Sequence, residues 1–434
     1  MTSPTPNNTH RPTSLWMDRA PAPAPTAPLA EQITADVVVI GCGFTGLRAA
    51  LTVLEGGGTV ALLDAGDVGF GASGRTGGQV NPMLPFNTPD KLNKILGRAY
   101  FERLTETSLA SADALFDFIK RYQIDCEARQ NGWLRVCHTP KALAAAKAGV
   151  TEWNRHGAGM QILSRSDIEH LAGTRAYGSG VLTPKGGAVH PMMLVQGMAA
   201  AARARGADLF GQSAVLDLQQ NDGRWIAKTA QGQVTAQTVI VATNGYTGDL
   251  IPKLDKTVIP IAPIQIATEP LPDDVISSIL PQGHTISDSR RVIMYARREP
   301  DNRMVYGGHG TPLKGGGLGG FDWLIRDAIR VFPQLKGVRW THRWGGHIAL
   351  TEDRLPHLHE PKPGLLIGLG YNGRGVAMSQ IMGETLGKRA LGTPAEDLPF
   401  PVTQIKPMTG RGTQLFGMRT AIWIMKFMDY LETR

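Results

Sequence analysis

Cysteine is scarce in this chain. Its 434 residues hold three, Cys42, Cys126 and Cys137, and their spacing forms neither a disulfide framework nor a Cys-x-x-Cys redox pair. A reducing compartment fits, and the expected location is the cytoplasm. Long apolar runs are also missing. None reaches the 18 or so residues that span a bilayer, and the opening MTSPTPNNTHRPTS has no apolar signal-peptide core. Charged residues make up only 19% against 42% hydrophobic, which excludes a mostly disordered chain. The net charge is +8, but Lys and Arg are scattered, with no run beyond pairs such as Arg290-Arg291 and Arg297-Arg298. No zinc-finger spacing or RNA-binding signature accompanies them, so a nucleic-acid partner is not expected.

Glycine, by contrast, is abundant at 52 residues without a collagen period. Many backbone positions must turn tightly or approach something closely. Residues 1–34 are rich in Pro, Ala and Thr, with APAPAPTAP at 20–28, and read as an extended arm that Trp16 docks on the body. Residues 37–40 form a continuous β-branched run, as in a strand buried on both faces. Residues 44–55 read as a helix closed by Gly56-Gly57-Gly58, and 59–63 as a second buried strand, completing a βαβ unit. Further on, the pattern predicts helices over 92–122, 141–156, 191–205, 321–332 and 376–391, with a short helix capped near Ser166. Strands are expected at 133–137, 215–218, 225–229, 238–242, 258–268, 292–297, 304–307 and 365–369. The apolar and basic stretch 421–431 reads as a terminal helix, with peripheral contact to a membrane surface as the second reading.

The segment V-V-V-I-G-C-G-F-T-G decides the class. Gly41, Gly43 and Gly46 form G-x-G-x-x-G after a buried strand and at the start of a helix, the context this pattern requires. Gly41 permits the sharp turn, Gly43 admits a diphosphate to the backbone, and Gly46 lets helix and strand pack. The phosphates would rest on the helix N-terminus around Phe44 and Thr45. Asp64, followed by Ala65, ends the second strand about 20 residues on, placed for the ribose hydroxyls of an adenosine. NAD and FAD share this fingerprint. Two further glycine-rich blocks, G-F-G-A-S-G-R-T-G-G-Q at 69–79 and G-L-G-Y-N-G-R-G-V-A at 368–377, suit a long cofactor lying extended through the fold.

With those blocks and A-T-N-G-Y at 242–246, the chain from about Asp36 to Leu391 resembles the D-amino-acid-oxidase-like superfamily of FAD-dependent oxidoreductases, closest to its gamma-glutamylputrescine oxidase branch. The resemblance implies an α/β fold with a discontinuous Rossmann-like FAD-binding domain (35–90, 187–255 and 360–395). It also implies a mixed-sheet α+β substrate domain (91–186 and 256–359), leaving 396–434 as a C-terminal segment. It places Ser73, Gly74, Arg75, Gly78 and Gln79 near the flavin and Val215 on the adenine side. Ala242 and Thr243 would lie at a strand end beside the cofactor, and Gly370, Asn372, Gly373, Gly375 and Val376 along the isoalloxazine. Asp64 stands where relatives often carry Glu. Some relatives bind flavin through a late Cys. This chain has none after Cys137, so FAD is expected to be non-covalent; a His linkage stays open. No metal is expected.

The implied chemistry is oxidation of a C–N bond by hydride transfer to flavin N5, with hydrolysis of the imine and reoxidation by oxygen. The donor must be a free amine. With a pKa near 10, about 0.1% is free at pH 7, a cost of roughly 4 kcal/mol that an apolar pocket offsets by lowering that pKa. Candidate substrate residues are Tyr295 and Arg297, which alternate onto one strand face, His309 after the next strand, and Trp344 in W-G-G. His190, Arg354 and Arg374 carry weaker cases, and residues 315–320 read as a mobile loop at the substrate entrance. A gamma-glutamylputrescine-like amine is the favoured substrate. The alternatives are a dehydrogenase feeding a quinone or partner protein, a non-catalytic flavin-binding subunit, and a flavin hydroxylase. The last would need NAD(P)H, against which a single adenosine-binding βαβ argues.

Overall fold

The computed structural model describes residues 14–84, 86–313 and 317–432. Its larger sheet has nine strands and is built outward from Gln32–Ile40, whose Val37 to Ile40 are all buried. That strand pairs in parallel with Val60–Leu63 on one side and Gln233–Val241 on the other. Leu365–Leu369 extends the sheet in parallel beyond Gln233–Val241. Near-continuous apolar runs are what a parallel sheet covered on both faces demands.

The helix Phe44–Glu55 covers one face with Gly375–Ala390, and the two approach unusually closely. A Cβ on Gly383 would stand 2.6 Å from Thr45 O, and one on Gly387 2.8 Å from Ala49 O. Arg48 crosses the same interface to Glu384 at 2.8 Å.

The second sheet has eight strands, ordered Trp340–Gly345, Pro263–Thr268, Met304–His309, Tyr295–Arg298, Thr285–Asp288, Trp133–Val136, Gly180–Thr183 and Gln161–Leu163. It is antiparallel but for the pairing of Thr285–Asp288 with Trp133–Val136. Its outer side buries the helix Phe321–Val331 through Leu324, Ala328 and Val331. There Asp327 accepts two hydrogen bonds from Arg290 (2.8 and 2.7 Å) and one from the Tyr306 hydroxyl (2.7 Å).

Several boundaries differ from the sequence reading for visible reasons. The helical stretch near 92–122 splits into Pro89–Leu96 and Arg98–Arg121, because Gly97 takes φ +72°, a conformation glycine adopts without penalty. The cap of Arg165–Ala172 is Ser164, in a reciprocal capping box with Asp167, not Ser166. The strand read at 215–218 lies at Asp217–Asn221, and Thr285–Asp288, whose four residues are all buried, escaped the periodicity. The first strand begins inside the expected arm. Val402–Thr403 adds a further edge to the larger sheet.

The arm is not simply extended. Leu15–Arg19 is a short helix capped by Ser14, and Trp16 is fully buried. Residues 1–13, and 315–316 of the glycine-rich entrance loop, lie outside the described residues.

Candidate active site

The first glycine turn is shaped as its residue types require. Gly41 has φ +111°, and a Cβ there would crowd Ala242 O at 3.0 Å. A Cβ on Gly46 would stand 1.9 Å from Gly41 O, so helix and strand touch only because position 46 is bare. At Gly43 a Cβ would meet Ser73 Oγ at 2.8 Å, and that same oxygen accepts the Phe44 N–H at 3.0 Å. Ser73 therefore closes the second glycine block over the helix N-terminus. Asp64 Oδ2 accepts the Cys42 N–H at 2.7 Å and Oδ1 accepts the Gly66 N–H at 2.9 Å. Cys42 is buried, which pushes its thiol well up; it is a packing residue, not a reactive one. The Ser213 N–H bonds to Asp64 O at 2.7 Å, which brings Val215 to the same edge.

The third block is tied to the first two. Gly370 (φ +84°) donates its N–H to Asn244 Oδ1 at 2.9 Å. Asn372 (φ +50°) is buried and accepts the Thr351 N–H at 3.0 Å while its own amide donates to Gly370 O. Thr45 and Tyr371 join through their hydroxyls, 2.6 Å apart. Gly373 (φ +87°) has nothing within 4 Å of a notional Cβ. Arg374 then caps the helix Gly375–Ala390, whose first N–H groups, among them those of Gly375 and Val376, lack intrahelical acceptors and suit developing negative charge.

A bare turn at Gly43 roofed by a hydroxyl, a carboxylate at the strand end, and an open Gly373 turn at a second helix N-terminus together fit an extended dinucleotide. Ala242 and Thr243 stand between the two turns: Ala242 N–H bonds to Ile40 O at 2.9 Å, and Thr243 Oγ1 lies 2.6 Å from Thr247 Oγ1.

The second sheet faces the block 69–79 with one row of opposed residues. Trp344 sits opposite Gln265, Gln265 opposite Gly307, Gly307 opposite Tyr295, and Tyr295 opposite Ser287. Directly opposed residues share a face. Gly307 makes room for the Tyr295 ring, which a Cβ there would strike at 2.1 Å. Among the described residues the Tyr295 hydroxyl has one long contact, 3.5 Å, to Ile264 O, and burial pushes its pKa up, so the phenol stays protonated. His309, two residues beyond Gly307, is held neutral chiefly by burial and secondarily by Lys426.

Four consecutive carbonyls of the block are gripped by side chains. Arg75 O accepts from Gln265 Nε2 (2.7 Å) and Trp344 Nε1 (3.1 Å). Thr76 O accepts from Trp16 Nε1 (2.8 Å). Gly77 O and Gly78 O accept from Arg297 Nη1 (3.2 and 2.9 Å). Gly74 is as confined as Gly43, a Cβ there lying 2.3 Å from Gly69 O. Gln79 donates to Ile286 O (3.2 Å) and Ala296 O (3.0 Å).

These contacts correct one expectation. Arg297 is 1% exposed, and its remaining donors go to the Glu299 carboxylate and Val189 O. Its guanidinium is committed to the loop and to Glu299 rather than presented on the sheet face. Trp344 likewise spends its N–H on Arg75. Gln265, Asn244, Tyr371 and Thr76 were missed as site residues. Gln265 carried a signal, a lone amide inside the apolar strand Pro263–Thr268.

Arg374 is different. Its guanidinium lies 4.4 Å over the Trp133 ring, and Trp133 Nε1 donates to Ser287 Oγ at 2.9 Å, at the end of the opposed row. Burial, then repulsion by Arg135, lowers its pKa to about 9. Its Nε has no hydrogen-bond partner, and among the described residues no carboxylate pairs with it.

The FAD dependent oxidoreductase model of the D-amino-acid-oxidase type matches residues 36–389. The chain belongs to this family, and it is an FAD-dependent oxidoreductase. It is 33% identical over 419 residues to gamma-glutamylputrescine oxidoreductase of Escherichia coli (strain K12), covering 92% of this chain and 96% of that protein. A probable oxidoreductase of Haemophilus influenzae is 31% identical, covering 93% and 94%. Among solved structures, glycine oxidase from Geobacillus kaustophilus superposes with a TM-score of 0.70 at 22% identity, covering 86% of this chain and 99% of that one. Iminodiacetate oxidase from Chelativorans sp. BNC1 gives 0.69 at 20% identity, covering 86% and 98%. Both share the fold. Among the described residues no helix is long and apolar enough to cross a membrane.

Proposed function

We propose that this protein oxidises the C–N bond of a small amine bearing a remote anionic group, of the gamma-glutamylputrescine type, with oxygen as electron acceptor. The observation that carries the reading is the half-buried Arg374 cation, which has no carboxylate partner among the described residues and is set between the third glycine block and the sheet face. A partly desolvated charge lacking a counter-ion is costly, and a substrate carboxylate supplies one. The likeness to gamma-glutamylputrescine oxidoreductase over nearly the whole of both chains points the same way.

Bound FAD supplies the hydride acceptor. The protein's task is placement. Gly43, Ser73 and the helix start at Phe44 and Thr45 would hold the diphosphate. Asp64 would hold the adenosine ribose, and Gly373 with the N–H groups of Gly375 and Val376 would stabilise negative charge on the ring. Tyr295, neutral and weakly bonded, faces the amine together with His309. Neither is ionised, so the face favours the uncharged amine by excluding water rather than by deprotonating it with a strong base. The test is anaerobic mixing with gamma-glutamylputrescine. Bleaching of the visible flavin band without NAD(P)H supports the reading, and no bleaching across a panel of amines and amino acids favours a non-catalytic flavin subunit.

A second reading, a dehydrogenase passing electrons to a membrane quinone, is favoured by one observation. On the helix Arg411–Glu432, Ile424, Met428 and Leu431 are 45, 41 and 55% exposed and follow one another at four and three residues, along one stripe. Co-sedimentation with anionic vesicles and rapid quinone reduction, with slow oxygen consumption, would select it.

A further inference from the structure

Trp16 comes from the N-terminal arm, yet it reaches the middle of the flavin-side block. Its ring is fully buried, edge-on to His190 (5.2 Å between centroids) and to Trp344 (5.7 Å). Arg297 lies over its face at 5.0 Å. The short helix that carries it is clamped at its end by Arg19, which pairs with Glu127 at 2.5 Å and Asp301 at 3.0 Å. The indole is therefore not free to reorient, and its N–H is aimed at Thr76 O.

A trans peptide is flat, with its C=O and N–H pointing opposite ways. Holding Thr76 O toward Trp16 turns the Gly77 N–H to the other side of the loop. There it has no hydrogen-bond partner among the described residues. Without a Cβ at 77 this peptide could rotate readily. The indole bond, supported by Arg297 on the next carbonyl, removes that freedom.

We propose that Trp16 is a positioning residue for the flavin. By fixing the Thr76–Gly77 peptide it presents the Gly77 N–H as a donor to the isoalloxazine. This rests on the reading of residues 69–79 as the flavin-side block. The donor stabilises negative charge on the reduced ring, so the arm helps set the redox potential as well as affinity.

Trp16→Phe tests this, because it keeps an aromatic edge against His190 and Trp344 but cannot donate. Leu15→Ala serves as the packing control, since Leu15 is buried in the same helix and its side chain has no donor to offer Thr76 O. For Trp16→Phe holoprotein and apoprotein we expect a roughly tenfold higher FAD dissociation constant, an altered shape of the visible flavin band, a lower midpoint potential, and slower flavin reduction at unchanged KM. Leu15→Ala should lower the melting temperature and leave the band and potential alone. A Trp16→Phe protein that is merely less heat-stable, with wild-type affinity, spectrum and potential, overturns the proposal, as does Leu15→Ala reproducing its spectrum. Gly43→Val separates the underlying reading: if that protein retains flavin, the placement of the cofactor fails whatever Trp16→Phe shows.

Discussion

The hydroxyls of Thr45 and Tyr371 lie 2.6 Å apart, joining the first turn of the diphosphate-side helix to the turn before the last core helix. Both side chains are buried, so Tyr371→Phe strands the Thr45 hydroxyl without its partner. The expected cost is ~1 kcal/mol, seen as an FAD dissociation constant about fivefold higher in titrations of apoprotein. Unchanged affinity would mean that the two glycine blocks are not coupled through this bond.

The glycine turn makes a sharper prediction. Gly43→Val pushes a branched side chain into Ser73 Oγ and the diphosphate space beside it, and the protein should purify colourless. Gly46→Ala drives a methyl into Gly41 O and should destabilise the fold by about 1–3 kcal/mol or more, read as a lower denaturant midpoint. Yellow Gly43→Val protein would count against the site.

Arg374→Met should leave FAD bound while KM for gamma-glutamylputrescine rises about 10- to 100-fold, the equivalent of ~1.5–3 kcal/mol for a lost charged hydrogen bond. Putrescine, which has no carboxylate, should be affected far less. Equal losses on both amines would remove Arg374 from the substrate site.

Acid should loosen the protein through His190. Its Nδ1 accepts the Met193 N–H that caps the helix Pro191–Ala204. Burial first, then Arg297, lowers its pKa to about 3 against an ordinary value near 6.5. Above about pH 6.5 the ring is neutral folded or unfolded and contributes no pH dependence. Between about 6.5 and 3 only the unfolded chain takes the proton, so stability falls as pH falls, by on the order of 5 kcal/mol in full. His190→Asn keeps a capping oxygen and should flatten that limb in melting profiles; an unchanged acid limb would rule His190 out as its cause.

Much of the cofactor half was legible because backbone chemistry restricts which residue types can serve. Only a bare position tolerates Gly46 against Gly41 O, and Gly41 and Gly370 require positive φ, so the glycine pattern carries the turns with it. The second sheet was read less well. Arg297 and Tyr295 do alternate onto one face, but periodicity cannot say that a carboxylate two residues on, Glu299, and three loop carbonyls absorb the guanidinium. Thr285–Asp288 mixes polar and apolar residues that are all buried, which defeats a pattern based on exposure. The role of Trp16 depends on a contact 60 residues away in sequence, which no local signal encodes. Arg374 stood in a recognised block, yet only the absence of a carboxylate partner among the described residues sets it apart from an ordinary structural cation.

The central claim is tested most directly by mixing purified holoprotein with gamma-glutamylputrescine in the absence of oxygen and following the visible flavin band. The account predicts full bleaching without NAD(P)H, and return of the colour when air is admitted. A band that persists with this amine and with every other amine and amino acid offered would contradict it.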